Sequence, residues 1–114
     1  MAKFLVQKSE PLNGEVYISG AKNAVLPLMA ASILAGDKCT IMDVPDLRDV
    51  EVMKEILTSL GMEINQTQDS VLEIDGSNLA TDEADYELVR KMRAAVLVVG
   101  PLLARTGRAK VHQP

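Results

Sequence analysis

The chain has 114 residues, 47% of them apolar and 25% charged, with a formal net charge of −4. That composition is globular rather than disordered, and its acidic balance argues against a broad nucleic-acid or anionic-membrane surface. Phe4, Tyr17 and Tyr86 are the only aromatics and Cys39 the only cysteine, which excludes base-stacking platforms and an internal disulfide.

The core must therefore be aliphatic. Met1 to Val6 carries no long apolar stretch, so no signal peptide is expected. The longest apolar run, Ala94 to Ala104, is shorter than the roughly 20 residues of a bilayer span. A cytoplasmic setting follows, with no membrane and no nucleic-acid partner.

In chain order, Lys3 to Gln7 reads as a first strand closed by the turn residues Ser9, Pro11, Asn13 and Gly14. Glu15 to Ile18 alternates polar and apolar and reads as a second. A helix follows from about Asn23 to Leu34, with Pro27 placed in its first turn and Gly36 at its C′ position. Lys38 to Met42 is a short strand. Asp46 is expected to cap a second helix, with Asp49 three residues on, and Val50, Met53, Leu57 and Leu60 form one apolar stripe that Gly61 ends.

Met62 to Asn65 and Val71 to Ile74 both alternate at period two, and Gln66 to Ser70 connects them as a hairpin. An acidic loop, Ser77 to Ala84, leads to a third helix from Asp85. That helix is apolar all round from Ala94 to Ala104, which implies burial on every side and, in so short a chain, self-association. Gly100-Pro101 should interrupt it and Gly107 end it. Ala109 to His112 begins a last strand, so the expected order is β-β-α-β-α-β-β-α-β.

The stretch Ile18-Ser19-Gly20-Ala21-Lys22-Asn23-Ala24-Val25-Leu26-Pro27 joins strand to helix. It places Lys22 at a helix mouth, where a cation costs about 0.3–1 kcal/mol unless an anion is bound. Free N–H groups, Gly20 and an ammonium could cradle phosphate or carboxylate; an ordinary cap beside a solvated lysine accounts for the same residues. Arg90, Lys91 and Arg93 cluster within a turn and repel unless anions intervene. Arg93 suits a bidentate phosphate contact, or it snorkels from the core; Arg90 and Lys91 read as a solvated face. Cys39 reads as a small buried hydrophobe and His112 as a structural residue. No carboxylate pair, metal-ligand cluster, P-loop or Gly-x-Gly-x-x-Gly occurs.

Gly20-Ala21-Lys22-Asn23-Ala24-x-Leu26-Pro27, after Leu12-Asn13-Gly14-Glu15-Val16-x-Ile18-Ser19, resembles the start of the UDP-N-acetylglucosamine enolpyruvyl transferases, also called UDP-N-acetylglucosamine 1-carboxyvinyltransferases. The resemblance continues through Asp43 to Val50, Leu60-Gly61, Met92-Arg93-Ala94, Gly100-Pro101-Leu102 and Ala104-Arg105-x-Gly107, in order along the chain. It implies an α+β fold: a βαβαββ unit of the inside-out α/β barrel, or α/β prism, present here in truncated form. Residues 1–21 would then be strands packing with a second domain, and residues 22–114 the front part of the first, catalytic domain.

The implied activity is transfer of the enolpyruvyl group from phosphoenolpyruvate to the 3-hydroxyl of UDP-N-acetylglucosamine, the first committed step of peptidoglycan synthesis. Lys22 and Asn23 match the positions that bind phosphoenolpyruvate, and Arg93 the arginine assigned to UDP-N-acetylglucosamine. The family's acid loop would follow Pro114, so no catalytic residue is expected within the chain, and the chain alone is expected to be inactive. No cofactor and no metal are implied. The 3-phosphoshikimate enolpyruvyl transferases share the fold and donor but carry Lys-Ser where this chain has Lys22-Asn23. A noncatalytic folding or assembly module is the third reading.

Overall fold

The computed structural model describes residues 2–18 and 20–111. The elements are α1 (Lys22–Ala35), β1 (Lys38–Ile41), α2 (Arg48–Ser59), β2 (Glu63–Gln68), β3 (Val71–Asp75), α3 (Tyr86–Val89), a 3₁₀ segment (Arg93–Val98) and α4 (Val99–Thr106). The strands form one antiparallel sheet in the order β1-β3-β2. Its register aligns Cys39, Ile74 and Ile64 on one face, and Lys38, Asp75 and Glu63 on the other. Period-two alternation thus makes one apolar side, against which α1 and α2 pack, and one polar side. Between the layers Met29, Ile33, Met53, Ile56, Leu57, Leu72 and Ile74 are fully buried.

α2 forms as its pattern requires. Val50, Met53, Leu57 and Leu60 are buried, and Val52 and Ile56 widen the stripe. Its N-cap is Leu47, in extended conformation and without a side-chain cap, rather than Asp46. Val44 and Pro45 are buried and fix where the chain enters, which leaves Asp46 one residue short of the cap. Asp49 and Glu51 meet the dipole in the first turn instead. The hairpin forms, but β2 runs on to Gln68 through an irregularity between Gln66 and Gln68, so the turn is Asp69-Ser70, with Ser70 at φ 65°, rather than Gln66 to Ser70.

Other expectations change. Residues 2–18 contain no strand: Lys3–Gln7 and Glu15–Ile18 pair with nothing, and Phe4, Val16 and Tyr17 are fully or almost fully exposed. A strand without a neighbouring ladder has no backbone partners to hold it. Pro27 stands in the second turn of α1, not the first. It faces water and leaves the Asn23 carbonyl without its i+4 donor.

The third helix is broken earlier than Gly100-Pro101. α3 ends at Val89, Met92 is buried in extended conformation (φ −154°, ψ 125°), and the 3₁₀ segment starts at Arg93. Pro101 falls in the first turn of α4, where its missing N–H is no loss. Burial is one-sided too: Val96, Leu97 and Leu103 are exposed. Of the last expected strand, only the bridge between Glu83 and Lys110 forms among the described residues, and His112 lies outside them.

Candidate functional site

The site begins where β1 ends. Gly20 lies so close to the turn after β1 that a Cβ there would overlap the carbonyl oxygen of Asp43 and stand 3.3 Å from Cδ of Pro45. Only glycine permits that approach, and it sets where α1 can start. Ala21 then takes the N-cap position with φ −87° and ψ 132°, and has no side chain able to cap. Its carbonyl accepts from the N–H groups of Ala24 (3.2 Å) and Val25 (3.0 Å). The N–H groups of Lys22 and Asn23 have no partner among the described residues. The first turn holds no acidic residue, so the positive end of the dipole is uncompensated.

Lys22 is the first helical residue; its side chain lies outside what the structure describes. The Asn23 side chain is exposed and makes no hydrogen bond among the described residues. An uncapped, acid-free helix start can receive an anion through backbone donors.

Of the three clustered cations, two have acidic neighbours. Arg90 Nη1 lies 3.3 Å from Glu87 Oε2, and Lys91 Nζ lies 3.9 Å from Glu55 Oε2 on α2. Arg93, at the head of the 3₁₀ segment, is exposed and has no ion pair or hydrogen bond among the described residues. The expected mutual repulsion is thus relieved for Arg90 and Lys91, which leaves Arg93 as the cation free for a ligand.

Arg105 has a role that motif reading misses. Its Nη1 donates to the carbonyls of Ile33 (3.0 Å) and Gly76 (2.6 Å), tying α4 to the last turn of α1 and to the end of β3. A cation at those carbonyls offsets the negative end of the α1 dipole. The available signal was an arginine closing the charge-free run Ala94 to Ala104. α4 therefore reaches the carboxyl-terminal end of α1, and the 3₁₀ segment before it also packs on α1. Asn23 lies in the first turn of α1, and Arg93 opens the 3₁₀ segment.

A cleft of about 350 Å³ opens between α2 and the hairpin and holds Asp46, Lys54, Gln66 and Asp69. Lys54 in it is already engaged by Glu51 (3.0 Å) and Gln66 (3.2 Å). None of Lys22, Asn23 and Arg93 lines it. Among the described residues no group of three or more His, Cys, Asp and Glu could hold a metal ion, and no helix is long and apolar enough to cross a membrane.

The family profile of EPSP synthase (3-phosphoshikimate 1-carboxyvinyltransferase) matches residues 6–113, nearly the whole chain. The chain belongs to that family. Two curated relatives are named UDP-N-acetylglucosamine 1-carboxyvinyltransferase: one from Desulfosudis oleivorans, 50% identical over 114 residues, and one from Rickettsia africae, 53% identical over 117. Each match takes in all of this chain but only 27% and 28% of the relative, so the chain spans about a quarter of their length. The crystal structure of the enolpyruvyl transferase NikO from Streptomyces tendae superposes with a TM-score of 0.75 at 25% identity, over 86% of this chain and 23% of that one. The α+β fold is accordingly part of the enolpyruvyl transferase architecture.

Proposed function

We propose that this chain contributes the anion-binding end of an enolpyruvyl transferase. The donor would be phosphoenolpyruvate and the acceptor the 3-hydroxyl of UDP-N-acetylglucosamine, in the cytoplasmic supply of peptidoglycan precursors. The observation that carries the reading is the start of α1, uncapped and free of acidic residues, with Lys22 as its first residue. Lys22 and the adjacent backbone N–H groups would hold the phosphate or carboxylate of phosphoenolpyruvate, Asn23 would orient it, and Arg93 would meet the nucleotide sugar.

Enolpyruvyl transfer asks three things of a protein: a proton for the methylene carbon, removal of the hydroxyl proton, and stabilisation of charge on the departing phosphate. These residues can perform the third, as fixed cationic and dipolar partners. They supply neither acid nor base, and the purified chain alone is expected to show no turnover. Residues 1–21, of which residues 2–18 lie outside the packed layers, would pack with a second domain in this reading.

The family profile bears the name of the shikimate enzyme, which makes 3-phosphoshikimate the second acceptor to consider. About 50% identity to the nucleotide-sugar enzymes across all 114 residues favours UDP-N-acetylglucosamine. Titration of ¹⁵N-labelled chain tests the assignment. Phosphoenolpyruvate should move the amide signals of Lys22 and Asn23, and UDP-N-acetylglucosamine that of Arg93, with Lys22→Gln removing the first response. Equal responses in the original and the variant would sink the role of Lys22. A response near Arg93 to shikimate 3-phosphate alone would reverse the choice of acceptor.

A further inference from the structure

We propose that Asp43 is a positioning residue for the start of α1, acting through the backbone of Gly20, a role that rests on reading that start as an anion site. Asp43 follows β1 by two residues and takes φ 58°, in the left-handed region. After glycine, Asp and Asn are among the residues that tolerate this conformation best. Its exposed carboxylate has no hydrogen bond or ion pair among the described residues, so the side chain does not hold it there. The following peptide group does. The N–H of Val44 donates to the carbonyl of Ser70 at 2.9 Å, and Ser70 is itself left-handed in the hairpin turn. A trans peptide directs its N–H and C=O to opposite sides. The bond to Ser70 therefore turns the Asp43 carbonyl away from the hairpin, and it meets Gly20. Pro45 restricts Val44 to extended backbone, and both residues are buried.

Gly20 has no room for a Cβ against that carbonyl. A single residue, Ala21, separates it from Lys22, the first residue of α1. Consecutive Cα atoms stand about 3.8 Å apart across a trans peptide, so a shift of Gly20 has one residue in which to be absorbed. The N–H groups of Lys22 and Asn23 are thus aimed by a contact that three segments fix: the entry to α1, the turn after β1 and the turn between β2 and β3. Asp43 and Ser70 are the two residues other than glycine with positive φ among the described residues, and one hydrogen bond joins their turns. Such conformations persist where the surroundings over-determine them.

Amide spectra of the ¹⁵N-labelled chain test this, with circular dichroism to show that each variant folds. Asp43→Val places a β-branched residue where the left-handed region is closed to it. It should move the Lys22 and Asn23 signals before any ligand is added. It should also raise the phosphoenolpyruvate needed for half response by roughly tenfold to a hundredfold, on the order of what an ångström of misplacement costs. Asp43→Asn tolerates the conformation and should leave both readouts at their original values. Gly20→Ala disturbs the same contact from its other side and should repeat the effect of Asp43→Val. Gly20 lies outside the buried core, so this variant decides the matter if Asp43→Val fails to fold. Unmoved ligand-free signals, an undiminished response in Gly20→Ala, or an Asn variant as impaired as the Val variant would each overturn the proposal. Phosphoenolpyruvate moving neither amide of the original chain would instead sink the anion-site reading, and the ligand-free comparison would still decide whether Asp43 positions the helix start.

Discussion

α2 gives five of its twelve residues to the core and covers its other side with Arg48, Asp49, Glu51, Lys54 and Glu55, whereas α1 carries no charge after Lys22 along its fourteen. Both lie on the apolar side of the same sheet. α2 is complete with one buried face, since water is a good neighbour for its remaining side chains. α1 buries Val25, Leu26, Met29, Ala30 and Ile33 on one side and exposes Leu28 and Leu34 on the other. A helix apolar on both sides is suited to two packed layers, and this chain supplies one. α2 thus puts its apolar residues into the core, while part of the apolar surface of α1 faces solvent.

The sharpest way to break that distinction is a matched pair of truncations. Leu57→Ala, fully buried on α2, should cost about 2–5 kcal/mol. Leu28→Ala, on the open side of α1, should stay within about 0.5 kcal/mol. Urea denaturation at low protein concentration measures both, and similar losses would mean that Leu28 is buried in solution. The next largest effect concerns the junction of α1 with α4. Arg105→Met leaves the Ile33 and Gly76 carbonyls without their donor and should cost about 1–3 kcal/mol in the same assay. A loss too small to measure would show that water replaces the guanidinium there.

Lys22→Gln should act in the opposite direction. It removes a cation from the positive end of α1, and in low-salt, phosphate-free buffer it should stabilise the chain by about 0.3–1 kcal/mol. Destabilisation would make Lys22 a structural residue. The smallest effect belongs to Asp75, beside the Gly76 carbonyl. The backbone N–H of Ser77 donates to its carboxylate and holds its pKa below the ordinary 3.8. A depressed carboxylate pKa contributes stability above the unfolded value, and that contribution is lost as pH falls through the folded one. Stability should therefore fall more steeply below about pH 3.8 in the original chain than in Asp75→Asn. Parallel curves in acid titrations followed by circular dichroism would remove Asp75 from the account.

Much of the fold was legible where a local signal and the tertiary environment agree. The Val50-Met53-Leu57-Leu60 stripe, the alternating strand from Val71 to Ile74, and the left-handed caps at Gly36 and Gly107 all stand where the pattern places them. Errors fell where the pattern was local but the decision was not. Glu15 to Ile18 alternates well, yet a strand exists only in a ladder, and no partner is present. Asp46 is a good cap residue, yet the burial of Val44 and Pro45 moved the helix start past it. Met92 lies in a helical pattern, yet it is buried in extended conformation and ends one helix before the next begins. The site behaved likewise. The Gly20-Ala21-Lys22-Asn23 motif was readable, but the reason for its glycine lies in the Asp43 carbonyl, 23 residues away in sequence.

What the chain determined by itself is the set of apolar faces: one on α2, alternate residues on the strands, two on α1. These follow from side-chain spacing within a turn or a pleat, which needs no distant residue. Tertiary structure decided which cations keep a partner. Arg90, Lys91 and Arg93 look alike along the chain, but only folding brings Glu55 of α2 to Lys91 and leaves Arg93 exposed and without an ion pair among the described residues. Charge pairing depends on distance in space, and across 36 residues the sequence does not encode that distance locally.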